Sequence, residues 1–464
     1  MNNMMKKVAI TLEHPLRELD QAVLIKIALE KEYGILSDIS GVVHSTHINL
    51  LGRKQIIISP CGYGDHEYDY IFGFAENLYQ GFIKIVFWQE QVLNEKTKKI
   101  FLPKGRSLNN VDYHLVWGEN FAKHLISGGV SPSQIFIVGS PRIDMLNENF
   151  ISSYTTKEEL AIKYNIPVGK KWILFPSSFG LNFLLPNVKK LIQKMGYDDI
   201  VSVERTTQKK FEKFIDVIKI IAEQYTDVYQ IIVRPHPSEP EHRFKKLFKD
   251  YNNVHVHKTL PISWWINSSD YVCSTTSTTL IDSYILKKKV IVLDFRDNDD
   301  VKFGFTRFFP NVHSGIELCT LIDSTISTGF ENYYQESSRE LDLFIQNNYS
   351  IDRGPSYQRI SFVINNLIEK SRVKNKFSVK NILIVAKFII SDFLKSMLLA
   401  GPWGKLIATN YFSKRKRDYL SSKVVKRKTK LYRNIIQDKS SNIQYIKTKK
   451  TNFGILVYDG NSKK

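Results

Sequence analysis

The chain has 464 residues, 43% hydrophobic and 12% aromatic, which excludes global disorder and is too long for one ordinary core, so two domains of roughly 150–200 residues plus an extra segment are expected. The net charge of +20 suggests nucleic acid until it is localised: residues 370–464 hold 24 Lys and Arg against four Asp, while the preceding 369 residues hold 42 of each sign. A neutral main body argues against a dedicated duplex-binding protein.

The opening MNNMMKKVAITLEHP has two lysines followed by a short apolar run that Glu13 cuts off. No secretory leader is expected from it, and no 18-residue stretch free of charge suggests a span. Cys61, Cys273 and Cys319 are an odd, unclustered set, which points to a reducing compartment rather than disulfides or structural zinc. A cytoplasmic location is expected.

Strand-like runs then alternate with helix-length stretches. KVAITL (7–12), KQIIIS (54–59), KIVFW (84–88), YHLVW (113–117) and QIFIVG (134–139) are rich in β-branched and aromatic residues. QAVLIKIALEKEYG (21–34) and ENFAKHLISGG (119–129) read as helices closed by glycine. The pattern restarts with KWILFPSS (171–178), YQIIVRPHP (229–237), NVHVH (253–257), DYVCST (270–275) and KVIVLDF (289–295), with the clearest helix over 209–225. Such alternation predicts parallel sheets built from βαβ units. The domain boundary is expected at 150–168.

Two stretches carry chemistry. IIVRPHPSEP (231–240) delivers Arg234 and His236, the latter between two prolines, to the carboxyl end of a strand, where open parallel sheets bind ligands. Pro237, Ser238, Glu239 and Glu241 then read as the first turn of a helix, whose free N–H groups form an anion site. Arg234 would add a bidentate phosphate donor and His236 an imidazole donor. A strand followed by a plain proline-rich turn is the alternative.

CSTTSTTLIDSYILKKKV (273–290) follows a strand and opens a helix with six consecutive hydroxyl residues, Ser274 to Thr279. Simple capping uses one or two of them, so a phosphate role is expected for the rest. Two helix starts on neighbouring strands would together hold a nucleotide's phosphates without metal.

These residues carry a resemblance. ITLEHPLRELDQAVLIKIAL (10–29), WGENFAKHLISGGV with FIVGSPRIDML (117–146), IIVRPHPSE (231–239) and SSDYVCSTTSTTLIDSYILKKKVIVLD (268–294) together resemble bacterial surface-carbohydrate biosynthesis proteins of the GT-B glycosyltransferase type. That group is related to capsule transferases using CMP-Kdo and, more distantly, to CDP-glycerol glycerophosphotransferases. With the two sets of alternating elements, which suggest an α/β fold of two Rossmann-like domains facing across a cleft, a GT-B-like organisation is expected; no cofactor is expected, and the place of DNDD (297–300) after a late strand predicts no essential metal. The resemblance implies that His236 and Pro237 match the pair that grips the donor's phosphate, and that Ser274, Thr275, Thr276 and Ser277 match the hydroxyl loop beside it. The family often has a small or glycine residue in that loop, where this chain has only Ser and Thr.

An acceptor hydroxyl needs a base. Glu13 directly follows the first strand and is the preferred candidate, with a helix cap as its other role. His14 and Arg17 are substrate-binding candidates; Arg17 would hold an acidic sugar's carboxylate unless it pairs with Glu13 or Asp20. Glu90 and Glu119 rank lower, since Glu119 sits where any helix start welcomes an acid. Arg142 and Asp144 of GSPRIDML read as hinge residues, and DNDD (297–300) reads as a solvated loop rather than a metal site.

The tail completes the reading. VKNILIVAKFIISDFLKSMLLAGPWG (379–404) groups Lys380, Lys387, Ser391 and Lys395 on one side of an otherwise apolar helix, which suits an in-plane membrane helix, with docking on the main body as the alternative. Trp403, KRKR (414–417) and KVVKRKTK (423–430) follow and would attract an anionic leaflet. The expected organisation is therefore 1–155 as the acceptor-side domain, 156–369 as the nucleotide-donor domain and 370–464 as a basic helical tail at the membrane surface. The expected activity is transfer of a Kdo-like or other acidic sugar from a cytidine nucleotide to a surface glycan. Polyol-phosphate transfer from CDP-glycerol or CDP-ribitol, and a non-catalytic scaffold, are the alternatives.

Overall fold

The computed structural model describes residues 7–41, 46–98, 100–183, 200–295, 304–328, 338–376, 378–400, 420, 422–437, 447–450 and 456–459. The stretches 297–300, 403 and 414–417 singled out above lie outside them.

In chain order, β1 (Lys7–Leu12) leads into α1 (Pro15–Tyr33), which has proline in its first turn and is closed by Gly34. β2 (Leu36–Gly41) and α2 (Thr46–Leu50) precede β3 (Ile56–Ser59), β4 (Ile83–Phe87) and β5 (Tyr113–Val116). α3 (Glu119–Ser127) and β6 (Ile135–Ile137) complete this run. Strand order is β2-β1-β3-β4-β5-β6, all parallel. Ile57, Val86, Val116 and Ile137 bury one face of the sheet against Phe72, Phe74, Phe121 and Leu125.

A second sheet follows, formed by β7 (Lys171–Pro176), β8 (Tyr229–Arg234), β9 (Val254–Val256), β10 (Tyr271–Ser274), β11 (Lys289–Leu293) and β12 (Asn311–Val312). Its order is β9-β8-β7-β10-β11-β12, again parallel. Between its strands run α4 (Ile200–Gln224), α5 (Glu241–Leu247) and α6 (Thr279–Ile285). Phe214, Ile218 and Ile221 of α4 pack on Ile173, Ile231 and Ile291, which is the apolar stripe that the 209–225 pattern predicts.

The chain then returns. α7 (Ser356–Ile368), α8 (Val379–Ala400) and α9 (Ser422–Gln437) belong to the first unit, and the hairpin β13 (Lys447–Lys450) with β14 (Leu456–Asp459) extends the first sheet beside β6. The compact units are Met1–Leu93 with Thr97–Met145 and Ile345–Lys464, and Asn94–Lys96 with Leu146–Phe344. The boundaries expected at 155 and 369 thus fall instead at 145/146 and 344/345.

The reason lies in α7. Its Ile360, Val363, Ile364 and Leu367 are fully buried or nearly so, and Ser361 Oγ donates to Ile25 O of α1 at 3.4 Å. Asp144 caps the helix start, accepting from Ser356 Oγ and from the Tyr357 N–H, each at 3.0 Å. Arg359, wholly buried, donates to Ser350 O at 2.9 Å and Ser356 Oγ at 3.2 Å. Gly139 of the GSPR stretch has φ +76°, and a Cβ there would stand 2.2 Å from Arg359 Nη2. This motif therefore fastens the returning chain to the first unit.

Candidate functional site

An open parallel sheet binds ligands beyond its carboxyl edge, where strand order reverses. In the second unit the chain runs outward from β7 through β8 to β9 and then resumes at β10 on the other side of β7. The reversal lies between β7 and β10. There Ser178 Oγ and Thr275 Oγ1, one from each loop, share a hydrogen bond of 2.9 Å. Ser274 is buried beneath them and donates to Pro176 O at 3.0 Å.

The loop after β8 joins on the other side. The backbone N–H of Ser238 donates to His236 Nδ1 at 3.1 Å, and Ser238 Oγ lies 2.7 Å from the same nitrogen. An Nδ1 that accepts a backbone N–H carries no proton, so Nε2 becomes the ring's donor. The loop itself is held by Glu239, which is buried: one carboxylate oxygen accepts the His236 N–H at 2.8 Å and the other the Phe179 N–H at 2.6 Å. Burial raises the Glu239 pKa, against the pull of these hydrogen bonds. Lys258 Nζ donates to Glu239 O. Gly180 lets the loops meet, since a Cβ there would lie 2.2 Å from Ser238 Oγ.

Several expectations change here. β8 and β10 are not neighbours, because β7 lies between them and contributes its own loop. Pro237 sits in a turn, and α5 starts only at Glu241, after Pro240. Both α5 and α6 have only seven residues, and what the loops bring to this edge of the sheet is hydroxyls and an imidazole. Arg234 is not presented to a ligand: it is buried and donates to His257 O at 3.2 Å and to Leu260 O. Burial pushes its pKa down to about 10, against opposition from Glu241 and Tyr164, which leaves it cationic at neutral pH. Within the hydroxyl run Ser277 Oγ donates to Thr279 Oγ1 at 2.8 Å and accepts the Thr279 N–H at 3.2 Å, just before α6, while Thr276 is exposed.

In the first unit strand order reverses between β1 and β3, and Glu13 and His14 stand just past β1. Glu13 is 42% exposed, with Oε1 3.6 Å from His14 Nε2. Glu18 is buried and accepts the N–H of Glu13 at 2.8 Å and of His14 at 3.2 Å. Capping therefore belongs to Glu18, and Glu13's side chain points elsewhere. Burial raises the Glu18 pKa and Arg17 opposes the rise.

Arg17 pairs with Glu90 and, at 3.1 Å, with Glu18, rather than with Glu13 or Asp20. Burial alone would lower its pKa; Glu90, Glu18 and Glu13 reverse this, so it stays charged. Cys61, past β3, is driven well up by burial and then by Glu13, Glu67 and Glu18, which keeps its thiol protonated and unreactive. Glu119 is not with this group: it opens α3 and pairs with Arg353 at 3.3 Å. Among the described residues no cluster of three or more His, Cys, Asp or Glu is placed to hold a metal ion.

Ser178, Gly180 and Glu239 were not singled out as site residues above. The usable signal was the pair of serines and a glycine directly after a buried strand.

A family model described as alpha-2,8-polysialyltransferase matches residues 187–293, the stretch that contains His236 and the hydroxyl run. A comparison with curated proteins finds no match. Among solved structures, the wall teichoic acid polymerase TagF is similar at 16% identity, over 79% of this chain and 89% of that one, with a TM-score of 0.52. Its structure with CDPG gives 15% identity, the same coverages and a TM-score of 0.53. MnaA of S. aureus, in a co-structure with UDP, gives 14% identity over 79% and 96% with a TM-score of 0.48. The fold is accordingly α/β and GT-B-like, with two parallel-sheet domains.

Proposed function

We propose that the chain is a glycosyltransferase of bacterial surface-glycan assembly that transfers an acidic sugar from a CMP-linked donor. The observation that carries this reading is that Glu239 ties the His236 loop to the loop of Ser178, which itself bonds Thr275, beside the strand-order reversal of the second unit and inside or beside the stretch that the polysialyltransferase model matches. A polysialyltransferase handles a sialic acid, which shares with Kdo a carboxylate on the anomeric carbon, so both sugars fall in the class expected from the sequence.

In this reading the donor phosphate lies against His236 Nε2–H and the hydroxyls of Ser178, Thr275 and Thr276. As the anomeric C–O bond breaks, charge develops on the departing phosphate, and a neutral imidazole donor stabilises it there. The acceptor hydroxyl oxygen forms the new C–O bond and gives its proton to Glu13, the exposed carboxylate past β1. Arg234 and Glu239 act through the loops they hold. The acceptor is a glycan, and the enzyme works at the inner surface of an anionic membrane where a lipid-linked acceptor would be anchored. No described helix is long and apolar enough to cross a membrane.

The test is incubation of the purified protein with CMP-sialic acid, CMP-Kdo and CDP-glycerol in the presence of surface-glycan acceptors. Sugar incorporation without phosphorus from one of the CMP donors supports the proposal. A phosphorus-containing product formed only from CDP-glycerol would replace it with polyol-phosphate transfer.

A further inference from the structure

The helix α8 divides its surface in a way that the sequence does not reveal. One face docks on the first unit: Val385 is 7% exposed, Ile389 packs on the same core, and the Phe388 ring lies 4.8 Å from His47 and 5.5 Å from Phe74. The other face remains apolar and open. Val379, Ile382, Leu383, Ile390, Phe393 and Leu394 are 53–76% exposed. At about 100° per residue these six share one arc of the helix, and Lys380 and Lys387, both exposed, run along its edge.

The approach to this helix is cationic and fixed in place. Residues 370–380 contain Lys370, Arg372, Lys374, Lys376 and Lys380 and no acid. Lys374 and Asn375 pair with Gln80 and Tyr79, and Arg53 Nε donates to Asn375 Oδ1 at 2.7 Å. A recess beside this segment is lined by Lys7, Arg53, Arg372 and Lys374, with no carboxylate among its described lining.

We infer that the outer face of α8, with the basic segment that leads into it, is the surface by which the protein lies on an anionic lipid bilayer. The inference rests on the membrane reading above and makes it specific; it does not depend on the donor. An apolar stripe with lysines along its edge matches the acyl–headgroup boundary, and the cations before it match anionic headgroups. The basic helix α9 has another partner: Lys428 pairs with Asp20, Arg433 pairs with Glu30 at 2.7 Å, and Tyr432 is buried, so it belongs to the packing of α1.

Cosedimentation with vesicles of equal parts phosphatidylglycerol and phosphatidylcholine tests this, comparing the full chain with a Leu383→Glu/Ile390→Glu variant. Both positions are exposed, so the variant should melt at the wild-type temperature. The expected result is wild-type binding that weakens with salt and falls more than about tenfold in the variant. Equal binding by the variant would overturn the role of α8 and leave the membrane reading standing. Absence of wild-type binding to these vesicles at low salt would overturn both. A wild-type dimer that the variant turns into a monomer, without vesicle binding, would assign the face to a second copy instead.

Discussion

Glu239 holds His236 by the backbone: its buried carboxylate accepts the His236 N–H at 2.8 Å with one oxygen while the other binds the Phe179 N–H at 2.6 Å. One side chain thereby ties the imidazole-bearing loop to the loop that carries Ser178.

Glu239→Gln keeps the shape but turns one of the two acceptor oxygens into a donor facing an N–H. A buried donor left without its partner costs about 1–3 kcal/mol. The expected outcome is a lower melting temperature together with a loss of turnover, read by thermal unfolding and transfer assay. Wild-type values in both would remove the clamp from the account.

Arg234 and His236 should separate stability from function. Arg234 supports two backbone carbonyls of the loop after β9, where Leu260 has φ +67°. Arg234→Ala should cost on the order of 2 kcal/mol in urea unfolding. If Arg234→Ala instead spares stability and abolishes nucleotide binding, the arginine is a phosphate ligand after all.

Glu13 and Glu18 make a second such pair. Glu18→Gln disturbs a buried cap and should lower the unfolding midpoint. Glu13→Gln, at a 42% exposed side chain, should leave stability within about 0.5 kcal/mol of wild type and reduce kcat by about 100-fold or more. A Glu13→Gln enzyme with an unchanged kcat would move the base to another residue.

How much of this was legible depended on the kind of residue. Apolar runs such as IIIS and KVIVL declared their strands, because burial on both faces of a parallel sheet demands them. β2, with the sequence LSDISG, did not, since its polar residues contradict that pattern. His236 and the hydroxyl run stood out by composition, but their partners could not: that β7 lies between β8 and β10 is a matter of topology, and it alone brings Ser178 to Thr275. Arg234 misled for the same reason, because a cation at a strand end looks alike whether it faces a ligand or a carbonyl. The return of α7 rests on Asp144, Gly139 and Arg359 meeting over long separations, which spacing in the chain does not encode.

Gly139→Ala tests that return. The residue needs a positive φ and space occupied by Arg359 and Ser356, so a methyl group should cost more than about 2 kcal/mol. Unfolding of the purified variant in urea reads this directly, and a wild-type midpoint would show that α7 is held some other way.

Acid should weaken the fold through His114. The ring is buried, Nδ1 accepts from Trp88 Nε1–H at 3.1 Å, and burial lowers its pKa from 6.5 to about 3. The unfolded chain takes up the proton first, so the stability from this group is complete above about pH 6.5 and declines as pH falls toward 3. His114→Gln retains an acceptor and does not titrate, so it should flatten the loss of stability between pH 6.5 and 5. An unchanged slope would place the acid sensitivity elsewhere, for example at His257, which burial lowers to about 4.

The most direct test of the central claim is a thermal-shift comparison of wild type and His236→Ala with CMP, CDP, UMP, UDP, GDP and ADP. A ligand at about 100 times its Kd stabilises by roughly 2.7 kcal/mol, enough to move the melting curve by a few degrees. The account predicts stabilisation by the cytidine nucleotides in wild type and its loss in His236→Ala, with the two proteins melting alike when no nucleotide is added. Stabilisation that survives in the variant, or none with any nucleotide, would contradict it.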